Sequence, residues 1–151
     1  MKYKKYAIAA SLIAILIVAL VLLVVLPTMS TDESAKFKNA GALYDKSVDL
    51  ANAGKYEEAL KTTDNAIALN VPQLEPLLQS NRAGILVMLG RNSEAITAAD
   101  AALSSHENLT NVFSIAYFNK GNALNNLGRT EEAKIAYAKA HELDPTLVSP
   151  L

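Results

Sequence analysis

The sequence contains no cysteine, no tryptophan and only two histidines. Without cysteine it can hold neither a disulfide framework nor a cysteine-based metal site. That absence is compatible with either redox compartment. Charge of one sign is also scarce. A net charge of −1 provides no basic face of the kind that binds phosphate, which argues against a nucleic-acid partner. No glycine-rich phosphate loop and no nucleophile motif occurs. His106 falls in a predicted loop beside Glu107, and His141 on the last predicted helix, so both read as solvated side chains. Glu57-Glu58 and Glu131-Glu132 resemble paired carboxylates. Each pair opens a predicted helix, however, where acids offset the positive end of the helix dipole. No catalytic constellation remains, and the chain reads as non-enzymatic, with no cofactor and no metal.

One long uncharged run is present. Ala7 to Leu26 is 20 residues with Ser11 as its only polar member. As a helix rising ~1.5 Å per residue it spans about 30 Å, the thickness of a bilayer's hydrocarbon. Its Leu, Ile and Val residues together favour insertion by about 4–8 kcal/mol. A buried core helix is the bland alternative. A cleaved signal peptide is the second, but its apolar region is usually ~7–15 residues and ends in a small-x-small site. Pro27-Thr28-Met29 offers none. The run therefore reads as an uncleaved transmembrane anchor over 7–26, behind a short basic segment, 1–6. Three of the 14 basic residues, Lys2, Lys4 and Lys5, precede it, and all 15 acids follow it. The positive-inside rule then places the N-terminus in the cytoplasm and the remainder outside. Asn108-Leu109-Thr110 fits a glycosylation acceptor, which suits that side. Ser30 with Glu33 makes a capping-box pattern, so residues 27–33 form a short linker and helix cap.

From 34 to 147 the chain repeats itself. Ser114 to Leu147 reads as a helix, a Gly128-Arg129 turn, a second helix and a stop at Pro145. Gly54-Lys55 and Gly90-Arg91 mark the same turn in two earlier copies, 36 and 38 residues apart. Small residues recur where closely packed helices need them: Ala59 and Ala66, Ala83, Ala95 and Ala102, then Gly121, Ala133 and Ala140. Tyr117 and Tyr137 are the large residues of the last copy. This pattern resembles the tetratricopeptide repeat (TPR), whose unit is ~34 residues with an early aromatic, Leu-Gly, Ala-x-x-x-aromatic and a late proline. Lys120 stands where leucine is usual, and Leu124 replaces the second aromatic. The expected fold is all-α: an α-solenoid of about three hairpins (40–73, 76–109 and 114–147), preceded by one transmembrane helix and followed by a tail, 148–151.

The resemblance also implies a binding surface. First helices of such hairpins line a concave groove. The family's groove places fall on Tyr44, Val48, Ala51 and Asn52; on Leu77, Ser80, Asn81, Gly84 and Met88; and on Ile115, Phe118, Asn119, Asn122, Asn125 and Asn126. Chaperone-binding members clamp a terminal carboxylate there with Lys, Asn and Arg. Of those places only Asn81 matches, because Tyr44, Val48, Ile115 and Asn119 stand at the other four. Acidic chaperone tails are therefore not the expected ligand. An amide carries both donor and acceptor, so these asparagines suit an extended peptide backbone.

Repeat arrays usually close with a polar capping helix. Only Thr146 to Leu151 follow the last hairpin here. The expectation is that Ile135, Leu147, Val148 and Leu151 form an apolar end surface that self-associates or meets a partner. Two readings follow: a membrane-anchored scaffold that binds protein or extended peptide, or a structural subunit held by its anchor and open end. An enzyme is a distant third. The topology is directly testable. Protease added to intact cells or right-side-out vesicles should digest the repeats, and protection that lasts until lysis would reverse the orientation.

Overall fold

The computed structural model describes residues 31–105 and 109–151. Six α-helices are present there: α1 (Thr31–Asn52), α2 (Tyr56–Ala68), α3 (Glu75–Met88), α4 (Asn92–Leu103), α5 (Thr110–Asn126) and α6 (Thr130–Leu143). A 3-10 turn, Pro72–Leu74, leads into α3. No strand occurs among the described residues. The apolar run 7–26 and the acceptor Asn108 lie outside them. Among the described residues no helix is long and apolar enough to cross a membrane.

The three predicted turns are alike down to their hydrogen bonds. Gly54, Gly90 and Gly128 adopt φ of 74°, 71° and 74°, a left-handed conformation that only glycine enters without a Cβ penalty. In each turn the glycine N–H reaches the carbonyl three residues back, and the next N–H reaches the carbonyl five back. The second bond runs from Lys55 to Leu50, Arg91 to Leu86, and Arg129 to Leu124. These bonds occupy carbonyls that a helix end leaves orphaned. The cation after each glycine then pairs with an acid three residues on: Lys55 with Glu58, Arg91 with Glu94, Arg129 with Glu132. The hydrogen bonds from Arg91 and Arg129 hold the Glu94 and Glu132 carboxyls below their ordinary range. Glu131 pairs with Lys134 instead. The glutamate pairs at the starts of α2 and α6 thus brace their helices.

Packing follows from side-chain size. Among the described residues thirteen of the twenty buried apolar side chains are alanines, which lets helix backbones approach closely. Ala59, Ala66, Ala83, Ala95, Ala102, Ala133 and Ala140 are all at zero exposure. In the last hairpin the crossing is tighter still. A Cβ built on Gly121 would lie 2.6 Å from Tyr137 Cε1. Tyr137 fills the space that glycine leaves, and Phe118 tilts against its ring at 5.6 Å. The residue seven before each turn glycine is Ser47, Ala83 or Gly121, and nine after it stands Thr63, Ala99 or Tyr137. Ser47 and Thr63 are likewise at zero exposure, so the first crossing is built from two hydroxyls. The alanine pattern gives no sign of them.

Successive hairpins are joined by ion pairs on the side away from the groove. Arg82 meets Asp64 at 2.8 Å, and Lys120 meets Asp100 at 2.6 Å. Lys120 departs from the usual leucine because it has this acid to meet. Beyond α6 the chain turns back. Asp144 Oδ1 accepts the Thr146 N–H and hydroxyl, and His141 Nδ1 lies 3.1 Å from the Leu147 carbonyl oxygen. Val148 and Leu151 then line a cleft of about 450 Å3 with Lys134, Tyr137 and Ala138.

Gly121→Leu should cost at least about 2 kcal/mol by overpacking. Gly84→Ala should cost less, about 0.5–1 kcal/mol, because its new Cβ meets only the Asn119 amide, at 3.1 Å, and strains one side-chain hydrogen bond. Thermal or urea melts of both variants check the pair. An unchanged midpoint for Gly121→Leu would show that the crossing lies elsewhere.

Candidate peptide groove

The first helices α1, α3 and α5 line a depression of about 410 Å3. Its walls are Tyr44, Val48 and Ala51 from α1, then Leu77, Ser80, Asn81, Gly84, Ile85 and Met88 from α3, and Val112, Ile115 and Asn119 from α5. Ten of the fifteen groove places named from sequence thus come together, every wall residue except Ile85 and Val112, with Tyr44, Val48, Asn81, Met88 and Asn119 among them. Met88 and Ile115 are 59% and 49% exposed, more than large apolar side chains usually are away from a contact. Among the described residues no Lys, Arg, Asp or Glu lines the depression.

Its floor is held by hydrogen bonds between hairpins. The Asn81 amide nitrogen donates to Ser47 Oγ at 2.6 Å and to Thr63 Oγ1 at 3.2 Å. Those hydroxyls give their own protons to the Tyr44 and Ala59 carbonyls. One amide therefore bolts α3 onto both helices of the hairpin before it. One hairpin further on, the Asn119 amide donates to the Ser80 carbonyl at 3.3 Å, and Ser80 Oγ donates to the Val112 carbonyl at 3.4 Å. The donor halves of Asn81 and Asn119 are committed to the fold. Their carbonyl oxygens have no partner among the described residues and remain as acceptors.

The other predicted groove residues do not line this depression. Phe118 packs on Tyr137. Asn122 Oδ1 accepts the Tyr137 hydroxyl at 2.8 Å, so it supports the Gly121 crossing. Asn126 donates to Asn92 Oδ1 at 3.1 Å, joining α5 to α4. Asn52 and Asn125 sit near their helix ends, outside the depression. Ile85 and Val112 line it without having been singled out from sequence. Val112 was beyond reach of the motif because α5 starts at Thr110, four residues before the repeat pattern. Burial raises the Tyr44 phenol above its ordinary pKa, and the nearby Asp45 carboxylate adds to this.

Three helical hairpins in one register, with first helices lining a concave face, define a helical-repeat protein. Models of the tetratricopeptide repeat match residues 44–109 and 114–147, and the chain belongs to that family. It is 33% identical over 117 residues to a protein STIP1 homolog of Dictyostelium discoideum, covering 78% of this chain and 19% of that protein. It is 35% identical over 92 residues to an Hsp70-Hsp90 organising protein of Plasmodium falciparum, covering 61% of this chain and 34% of that one. The chain thus spans a third or less of these relatives. Among solved structures, the first TPR domain of human RPAP3 superposes with a TM-score of 0.62 at 28% identity, covering 71% of this chain and 80% of that one. The first TPR of Spaghetti (RPAP3) bound to the HSP90 peptide SRMEEVD also superposes at 0.62 and 28%, covering 72% and 81%.

Removing the Asn81 bolt should loosen the array. Asn81→Ala is expected to cost about 1–2 kcal/mol. A double-mutant cycle with Ser47→Ala should show coupling of about 0.5–1 kcal/mol. Strictly additive losses in urea melts would show that the amide carries no such tie.

Proposed function

We propose that this protein is a non-enzymatic scaffold, anchored in a membrane through residues 7–26, that holds an extended segment of a partner protein in its groove. It serves as an accessory subunit or assembly factor of a membrane complex, with the N-terminus cytoplasmic and the repeats outside. The make-up of the groove carries this reading. Exposed Met88 and Ile115 flank a floor of amide and backbone groups, of which the Asn81 and Asn119 carbonyl oxygens are unused. Apolar walls supply affinity, and unpaired acceptors meet the N–H groups of an extended chain. The relatives named as chaperone organisers, and the neighbour holding an HSP90 peptide, support an adaptor role for this repeat. They do not supply the partner, because among the described residues no cation lines this groove to take an acidic tail. The anchor rests on the length and neutrality of the run 7–26, and the orientation on Lys2, Lys4 and Lys5.

A second reading has its own observation. Ile135, Val148 and Leu151 are 67%, 74% and 51% exposed, a set that suits a structural subunit docking, or pairing with a second copy, through the last hairpin. Affinity purification of the full chain from native membranes in mild detergent separates the two. Val48→Asp and Ile115→Asp should each cut partner recovery at least about tenfold, the loss of a central contact. Both replace groove-lining side chains, so melting should hardly change. Recovery that survives both, but is lost with Ile135→Asp and Val148→Asp together, would favour the second reading.

A further inference from the structure

We infer that the groove selects an uncharged, apolar stretch of extended chain with a basic residue at the flank lying over α1, and discriminates against the same stretch flanked by acids. This rests on the groove reading above and adds the charge of its ligand.

The repeat register carries the inference. Asn81 and Asn119 each stand nine residues before a turn glycine, and each reaches back to the preceding hairpin. The same place in the first hairpin is Asp45. Among the described residues no hairpin precedes α1, and Asp45 makes no ion pair or hydrogen bond there. It is exposed. An acid thus replaces the amide at the α1 end of the groove, beside the lining residue Tyr44. Its charge is felt at the groove wall, since after burial it is the second cause of the raised Tyr44 phenol. One turn on, exposed Asp49 stands in register with Ile85, another lining residue.

No basic side chain cancels these acids inside the groove. Lys46 is next to Asp45 in sequence, but it holds the register of Arg82 and Lys120. Those two reach Asp64 and Asp100 on the preceding second helix, and neither lines the groove. A peptide leaving the groove past Tyr44 and Val48 therefore meets negative charge. A basic flank is attracted there and an acidic flank repelled, and both effects are screened by salt. For exposed pairs the expected preference is about two- to fivefold.

The test uses the full chain in non-ionic detergent and three fluorescent peptide amides with one shared Leu-Val-Ala-rich core. Their two flanks are Lys-Lys, Gln-Gln or Glu-Glu at both ends, so the direction of binding does not matter. Fluorescence anisotropy at low salt should rank the affinities Lys, then Gln, then Glu. Asp45→Asn together with Asp49→Asn should bring the Lys and Gln peptides close together while leaving the Gln affinity unchanged, and half-molar salt should do the same. Equal affinities for the three flanks, tighter binding of the Glu peptide, or a preference that survives the double substitution would each overturn the inference while leaving a peptide groove in place. Binding of none of the three, with the fold intact by circular dichroism, would overturn the groove reading and this inference with it.

Discussion

The close crossing of two helices inside each hairpin is the constraint on which the array depends. It falls seven residues before and nine after the turn glycine, and the two residues there must fit together in one small space. Each hairpin solves this differently. Gly121 makes room for Tyr137, with Cβ-to-ring spacing that no alanine could occupy. Ala83 and Ala99 are both fully buried in one cluster. Ser47 and Thr63 bring hydroxyls, which burial would penalise if they lacked partners. Their protons go to carbonyls on their own helices, and Asn81 supplies the remaining hydrogen bonds. No buried polar side-chain atom among the described residues is left unpaired.

That first crossing links fold to function. The amide that completes it belongs to the next hairpin and also sits in the groove. A single side chain therefore sets the spacing between hairpins and presents an acceptor to whatever lies in the depression. Asn119 repeats the arrangement one step on, with a backbone carbonyl in place of the hydroxyls. The concave face is consequently a rigid one, its shape fixed by the bonds that stack the repeats. Its affinity for a ligand comes from the apolar walls and its polarity from what the fold leaves unused. Among the described residues no charged side chain lines the depression, and Asp45 and Asp49 stand exposed on α1.

Much was legible in the sequence. Turn glycines, small residues at fixed offsets and the late Pro145 determined three hairpins, their order and their approximate bounds. They did so because left-handed turns and close crossings tolerate few residue types. The same offsets named Gly121 with Tyr137, and ten of the fifteen groove places that the family resemblance implied line one depression. Tertiary structure decided how the polar residues divide between fold and surface. Asparagines look alike in sequence, yet Asn122 and Asn126 turn toward Tyr137 and Asn92, while Asn81 and Asn119 floor the groove. Lys120 reads in sequence only as a departure from leucine, and Asp100, twenty residues away, stands beside it in the fold. Hydrogen-bond partners and ion pairs across hairpins depend on distances set by the stacking of whole helices, which no local pattern of residue types encodes.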